Sequence, residues 1–251
     1  MPAITTYTFS QGIFGTVTVV HRQSGGAKIV ADLDVSQVDK SALDTVDANC
    51  ASAVVSAYKW HIHTKWTHGD ALTSGVFGQC SLAAAGNHYD PDFACGPNSE
   101  YVTHDKCKPI TPLYNCTPAS YATNQLACER GDLSGKVGDM KVIDGKIYHS
   151  WFDEHYPAVK ATPEWNMLLH AICNKATPRV ACATGVTTTA PFFATSVGII
   201  AAALFVALIA CFGLRNHPWV GRFYPTNLVV VAGLGLLALV VYDDVVVDLS
   251  I

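Results

Sequence analysis

The stretch Tyr58-Lys59-Trp60-His61-Ile62-His63 alternates between apolar and polar side chains. Successive side chains of a β-strand point to opposite faces, so this alternation predicts a half-buried strand whose apolar residues enter a core. His61 and His63 then share the other face, where two imidazoles could bind one ion. Nitrogen ligands of this kind suit copper or zinc. An isolated His-x-His pair occurs more often by chance on a surface, so its interpretation depends on the rest of the chain.

The composition argues against a nucleic-acid partner and favours an oxidised domain outside the cytosol. The 251 residues carry a net charge of −4 and contain no basic run. Eight of the nine cysteines precede Thr184, and Cys211 lies in an apolar run. An even count without Cys-x-x-Cys is typical of a disulfide-bonded extracellular domain. Residues 1–12 lack the pattern of a signal peptide. We therefore expect a signal removed ahead of this sequence, with reduced cysteines as the alternative.

The N-terminal part of the chain has the residue pattern of β-strands. Tyr7 to His21 is rich in β-branched residues and Ala27 to Leu33 alternates, with a turn at Ser24-Gly25-Gly26 between them. These features predict a first hairpin over about Thr5 to Leu33. Asp34 to Asn49 is polar and is predicted to be a connection.

A long segment almost without strand patterns separates this region from the later strands. From Thr64 to about Lys136, glycine, proline and five cysteines accumulate, so we expect disulfides to hold the segment in place. Strand patterns return at Met140 to His149, Glu164 to Cys173 and Pro178 to Thr184. Short strands with long connections predict an all-β, Greek-key, immunoglobulin-like sandwich or barrel over residues 1–185.

The C-terminal part differs in composition and predicts membrane attachment. After a small-residue linker (186–190), residues 191–214 contain no charge over 24 positions, which exceeds the roughly 20 residues that a transmembrane helix needs. The basic loop 215–226 places its side in the cytoplasm. Residues 227–251 hold a second apolar run and an acidic tail, which could be a second span or an interfacial tail. The domain 1–185 is therefore expected outside the cell or in the secretory pathway.

Several motifs follow the histidine pair in a fixed order. They are His61-x-His63, residues 85–91 (Ala-Gly-Asn-His-Tyr-Asp-Pro), residues 131–135 (Gly-Asp-Leu-Ser-Gly), and His170 followed by residues 178–182 (Pro-Arg-Val-Ala-Cys). This ordered set resembles the copper-only branch of the Cu/Zn superoxide dismutase-like family, the fungal and oomycete surface branch. The resemblance covers roughly residues 7–185.

The resemblance implies a single copper ion, a catalytic arginine and one disulfide. Arg179 matches the arginine that guides superoxide to copper, and His88 matches a ligand that bridges two metals in copper-zinc members. Cys80 and Cys182 match the intradomain disulfide of the family. The copper ligands fall on His61, His63, His88 and His170.

The other cysteines before Thr184 are expected to form three more bridges, and eight cysteines allow 105 connectivities. A metal cluster of some of them is the alternative reading. They are Cys50, Cys95, Cys107, Cys116, Cys128 and Cys173.

The chain departs from the zinc-binding pattern of the family. It has Glu129-Arg130-Gly131-Asp132 where that pattern has His-x-x-Asp, and glycine at position 96 where a further zinc histidine is expected. A tetrahedral zinc site cannot be assembled from what remains, so zinc is not expected. Asp132, with Glu129 as a second candidate, is predicted to orient His88 by a hydrogen bond.

These features predict an extracellular, membrane-anchored copper-only superoxide dismutase, which converts superoxide to oxygen and hydrogen peroxide. A surface copper-binding protein with the same fold but little turnover is the first alternative. A structural or adhesive ectodomain with incidental histidines is the second. His68 and His104, in the cysteine-rich segment, are expected to be surface residues. The oligomeric state stays open.

Overall fold

The computed structural model of the chain describes residues 3–159 and 165–189. The strands are β1 (Ala3–Gln11), β2 (Ile13–His21), β3 (Ala27–Asp34), β4 (Ala57–His63), β5 (Ser74–Val76), β6 (Met140–Lys141), β7 (Lys146–Asp153), β8 (Asn166–Ala171) and β9 (Arg179–Thr189). The α-helices are α1 (Lys40–Val46), α2 (Leu82–Ala85), α3 (Pro118–Thr123) and α4 (Leu133–Val137). Short 3-10 helices lie at Ala48–Cys50, Gly69–Ala71, Phe77–Cys80, Thr111–Leu113 and Gln125–Ala127.

The strands form an all-β sandwich that is nearly closed into a barrel, as the sequence predicts. Strand pairing follows the order β6-β4-β8-β9-β1-β2-β3-β7, with β5 also paired to β9, and the named strand pairs are antiparallel. The first part of β9 pairs with β8 and its last part with β1, so this strand joins the two halves of the fold. The core lies between them and contains Ile13, Ile29, Trp60, Ile147 and Leu169.

Strand β9 corrects the predicted linker. It runs to Thr189, and Val186 lies opposite Thr6 of β1. Residues 186–189 are therefore part of the sheet. Valine and threonine are β-branched residues that favour a pleated strand, which accounts for the extension.

The first predicted hairpin is a three-stranded meander, and the predicted connection contains a helix. Gly12 has a φ of +68°, a left-handed conformation that glycine adopts readily, and it turns the chain between β1 and β2. Helix α1 begins where the side chain of Asp39 accepts a hydrogen bond from the backbone N–H of Ala42. Both features are local turn and cap signals that the alternation pattern does not register.

Disulfides hold the cysteine-rich segment, which contains only the three-residue strand β5 between β4 and β6. Of the two short loops in this segment, one is closed by Cys95–Cys107 and the other by Cys116–Cys128, each with a sequence separation of 12. These bridges exclude the alternative of a cysteine metal cluster. The two long-range bridges are Cys80–Cys182 and Cys50–Cys173.

A buried ion pair fixes helix α4 against β7. Lys136 Nζ donates to Asp153 Oδ2 at 2.5 Å and to the carbonyl of Arg130 at 2.7 Å, and both charged side chains are fully buried. The hydroxyl of Tyr121 in α3 donates to the same carboxylate. The pair therefore anchors the segment that carries residues 129–137.

Among residues 3–159 and 165–189, no helix is both long and apolar enough to cross a bilayer. The predicted span 191–214, the loop 215–226 and the segment 227–251 lie outside the described residues.

Candidate metal centre

Strand β4 presents its two histidines on the face opposite the core, as the alternation predicts. Trp60 and Ile62 are fully buried in the core. The backbone N–H of Trp60 donates to Ser134 Oγ at 2.7 Å, and that of Ile62 donates to the carbonyl of Gly131 at 2.9 Å. Residues 131–134 therefore take the place of a neighbouring strand along this part of β4.

Strand β8 brings His170 to the same face. His170 lies opposite Lys59 of β4, and residues directly opposite each other in a sheet share a face. Lys59 is two residues before His61, so the two side chains lie on the same face of β4. The pairing of β8 with β9 shifts register between Leu169 and His170, an irregularity of the kind that re-aims a side chain.

Four histidines meet at this place. One ring nitrogen from each lies within 4.8 Å of the corresponding atoms of the others, and all four side chains are buried. The ring centroids of His61 and His88 are 4.1 Å apart, and those of His61 and His170 are 5.0 Å apart. His88 arrives from the loop after α2, which forms an isolated bridge with His63. All four predicted ligands are thus brought together.

Two of the imidazoles are oriented by backbone carbonyls. Nδ1 of His63 donates to the carbonyl of Gly86 at 2.9 Å, and Nδ1 of His170 donates to the carbonyl of Thr177 at 2.9 Å. A carbonyl can only accept, so in both rings Nδ1 carries the hydrogen and Nε2 keeps a free lone pair.

The other two imidazoles are oriented by carboxylates. Nδ1 of His88 donates to Glu129 Oε2 at 2.6 Å, and Nε2 of His61 lies 3.4 Å from Asp132 Oδ1. Glu129 therefore orients His88, and Asp132 faces His61. This corrects the prediction that placed Asp132 first for His88. The spacing along the chain cannot distinguish two acids that lie three residues apart on the same short segment.

Three ring nitrogens in this cluster are orphaned. His61 Nδ1, His63 Nε2 and His170 Nε2 are buried and have no hydrogen-bond partner among the described residues. Buried polar atoms are normally paired, because an unpaired one loses its hydration without compensation. A metal ion coordinated by these lone pairs would satisfy all three at once. The residues present therefore fit a metal, and all-imidazole coordination suits copper.

Burial keeps the imidazoles neutral, which ligation requires. It lowers the pKa of His61 and of His88 to about 4, with smaller effects from nearby charges. It lowers the pKa of His63 and His170 well below the ordinary value of 6.5. At neutral pH all four rings are therefore free bases with a lone pair available.

The pKa values of the two acids shift in opposite directions. Burial raises the pKa of Glu129 well above its ordinary range, and the charges of Asp132 and Asp90 add to that effect. Burial also acts to raise the pKa of Asp132, but the hydrogen bond and charge of His61 outweigh it and lower the pKa of this carboxyl. Asp132 is therefore the more acidic of the two carboxyl groups.

Arg179 is linked to the cluster through a shared carbonyl. Its Nη2 donates to the carbonyl of Gly86 at 3.0 Å, the same oxygen that accepts from His63 Nδ1. Its Nη1 donates to the carbonyl of Cys80 at 3.1 Å, and Cys80 is bonded to Cys182 in β9. The disulfide thus links strand β9, which carries Arg179, to the segment whose carbonyl accepts from its guanidinium.

A cavity of about 240 Å³ lies against the cluster. It is lined by His61, His88 and His170 together with Lys59 and Tyr114. Tyr114 was not singled out by the sequence, since a tyrosine in a cysteine-rich loop carries no pattern that places it near a metal. The carbonyls of Gly86 and Thr177 were also missed, because a backbone acceptor has no signature in the sequence.

The histidines that were predicted to be surface residues lie elsewhere. His68 Nε2 is hydrogen-bonded to the carbonyl of Gln79 at 2.8 Å, and His104 Nδ1 accepts from the backbone N–H of Lys106 at 3.1 Å. Neither belongs to the four-histidine group.

No family model matches this chain, and no curated protein matches it. Solved structures similar to it include the Cu(II) form of Candida albicans superoxide dismutase 5, with 17% identity and a TM-score of 0.45 over 76% of this chain and 94% of that chain. A mutant of the same protein gives 16% identity and a TM-score of 0.45 over the same shares. The clock protein EA4 gives 15% identity and a TM-score of 0.40 over 73% of this chain and 92% of that chain. Similarities of this size assign neither activity nor metal, so the function has to be derived from the site itself.

Proposed function

We propose that this chain is a copper-dependent superoxide dismutase whose metal is held by His61, His63, His88 and His170. One observation supports the proposal above all others. The group holds three orphaned nitrogens, buried among neutral imidazoles whose other nitrogens are already fixed by acceptors. Such a cluster is costly without an ion and complete with one.

When bound, copper would supply the one-electron redox chemistry that converts two superoxide ions and two protons to one oxygen and one hydrogen peroxide. Zinc lacks this redox chemistry. The sequence around position 96 and residues 129–132 offers no second set of histidines. One copper ion and no zinc is therefore the proposed metal content.

The residues around the cluster have roles that suit an anionic substrate. Arg179 keeps a permanent positive charge, although burial lowers its pKa, and it attracts and orients an anion. Lys59 lines the cavity and places a positive charge there, partly balanced by Asp139 at 3.4 Å. His88 has Nδ1 engaged by Glu129, so Nε2 is the atom at which this ring can accept and release a proton.

The disulfides support an extracellular location, because structural disulfides persist in oxidising compartments. Attachment to a membrane through residues 191–214 rests on the apolar sequence alone.

The decisive experiment measures copper content and superoxide consumption on the same purified full-length protein. We expect one copper per chain and rapid superoxide consumption, both lost in His61→Ala and His170→Ala. His68→Ala, which lies outside the cluster, is the matched control and should retain both. Copper without superoxide consumption would favour the surface copper-binding protein. No copper at all would favour the structural or adhesive ectodomain.

A further inference from the structure

One tyrosine from the cysteine-rich segment contacts both acids that support the cluster. Tyr114 follows the 3-10 turn Thr111–Leu113, and its hydroxyl donates to Asp132 Oδ2 at 2.9 Å. The hydroxyl oxygen of Tyr114 also accepts a hydrogen bond from the backbone N–H of Glu129 at 3.2 Å. Asp132 faces His61, and Glu129 accepts a hydrogen bond from His88. The phenol of Tyr114 therefore contacts both residues that orient these two proposed ligands.

The position of Tyr114 is fixed by covalent and steric constraints. It lies two residues before Cys116, and Glu129 follows Cys128, so the Cys116–Cys128 bridge brings the two residues together. A Cβ atom built at Gly96 would lie 2.9 Å from Tyr114 Cε1 and would also collide with the carboxylate of Glu129. Position 96 therefore has to be glycine while the phenol occupies this space.

The phenol keeps its proton and acts as a donor. Burial raises the pKa of Tyr114, and the nearby charges of Glu129 and Asp132 raise it further. A hydrogen bond to a carboxylate is charge-assisted and draws negative charge toward the donor. Asp132 Oδ1 accepts from the backbone N–H of Gly135 at 2.9 Å, so both oxygens of this carboxylate are engaged.

We propose that Tyr114 is a positioning residue that sets the relative affinity of the site for Cu(I) and Cu(II) by limiting the negative charge that Asp132 presents to His61. The inference rests on the proposed function. A more basic Asp132 would polarise the Nε2–H of His61 more strongly, which makes the ring a stronger donor and favours Cu(II). By reducing the negative charge that Asp132 presents to His61, Tyr114 keeps Cu(I) accessible. A dismutase needs this because both oxidation states must be reached in each turnover.

The test compares the full-length protein with Tyr114→Phe. Affinities for Cu(II) and Cu(I) are measured by competition with chromophoric chelators, together with the copper reduction potential and the Cu(II) EPR spectrum. Mutating residues that support metal ligands typically changes metal affinity or activity roughly 10- to 100-fold. We therefore expect the ratio of Cu(II) to Cu(I) affinity to rise on the order of 10-fold in Tyr114→Phe, with a lower reduction potential. Tyr101→Phe is the matched control, because Tyr101 lies in the same segment and stacks on Phe93 at 4.4 Å. It should leave the ratio unchanged.

A double-mutant cycle distinguishes an effect of Tyr114 through the charge of Asp132 from a general loosening of the metal site. In an Asp132→Asn background the charge on which Tyr114 acts is gone, so adding Tyr114→Phe should change the affinity ratio little further. An unchanged ratio in the single variant, or equal effects of Tyr114→Phe in both backgrounds, would overturn the inference while the wild type still binds copper. A wild type that binds no copper would instead overturn the proposed function and the inference with it.

Discussion

Replacing Glu129 by glutamine tests how strongly the hydrogen bond from His88 to this carboxylate supports binding of the proposed metal. The Oε2 atom of Glu129 lies 2.6 Å from His88 Nδ1, and the residue is 1% exposed. Glutamine keeps the size and an acceptor oxygen but removes the charge. A hydrogen bond to a charged group contributes about 1.5–3 kcal/mol, against about 0.5–1.5 kcal/mol between neutral groups. The expected loss is therefore about 1–1.5 kcal/mol, which corresponds to roughly tenfold weaker Cu(II) binding.

The pH dependence sharpens this prediction. Burial raises the pKa of Glu129, so the wild-type carboxylate takes up a proton as pH falls and then resembles the neutral amide. Cu(II) affinities of wild type and Glu129→Gln should therefore converge toward acid pH and diverge as pH rises. Competition titrations across a pH series measure both curves.

Glu154→Gln is the matched control, since Glu154 is an exposed acid hydrogen-bonded to Gln125. Its affinity curve should overlay that of the wild type at every pH. If Glu129→Gln also overlays the wild type, the carboxylate does not support the metal and the account of His88 is wrong.

Three further predictions concern the substrate, the core and the metal-free protein. Arg179→Ala should slow superoxide consumption at low salt by about 10-fold or more and weaken its salt dependence, as followed by pulse radiolysis; an unchanged rate would remove the steering role. Lys136→Met should lower the free energy of unfolding by about 3–5 kcal/mol in urea titrations, because Asp153 is left as a buried unpaired charge; a loss below 1 kcal/mol would contradict this. In the metal-free protein, buried His61 and His63 bind protons only well below 6.5 while the unfolded chain binds them near 6.5. The free energy of unfolding should then fall as pH drops from 6.5 toward about 4, and a flat profile in that window would count against neutral imidazoles.

The β-fold and the candidate ligands were accessible from the sequence because their signals are local or ordered. Alternation around His61 identifies one strand by its faces, and β-branched composition identifies others. The resemblance carried by the ordered motifs implies His88 and His170, and the structure brings one ring nitrogen of each within 4.8 Å of those of the pair on β4. The pairing of Cys80 with Cys182 came from the resemblance and is present in the structure.

The rest depends on contacts between distant residues that no local pattern encodes. Whether Glu129 or Asp132 meets His88 depends on how residues 129–134 pack along β4, through the hydrogen bonds of Ser134 and Gly131. The role of Tyr114 requires the Cys116–Cys128 connection, one of many pairings that the cysteine count allows. The end of β9 was misplaced because a run of small residues is typical both of a linker and of an edge of a sheet.

The most direct measurement is X-ray absorption at the copper edge, on full-length protein loaded with Cu(II) and checked for metal content. One copper per chain with a first shell of nitrogen from histidine, and multiple-scattering features of imidazole, is the result predicted by the four rings. A shell containing sulfur, a shell made chiefly of oxygen, or copper that survives replacement of His61 and His170 would contradict it.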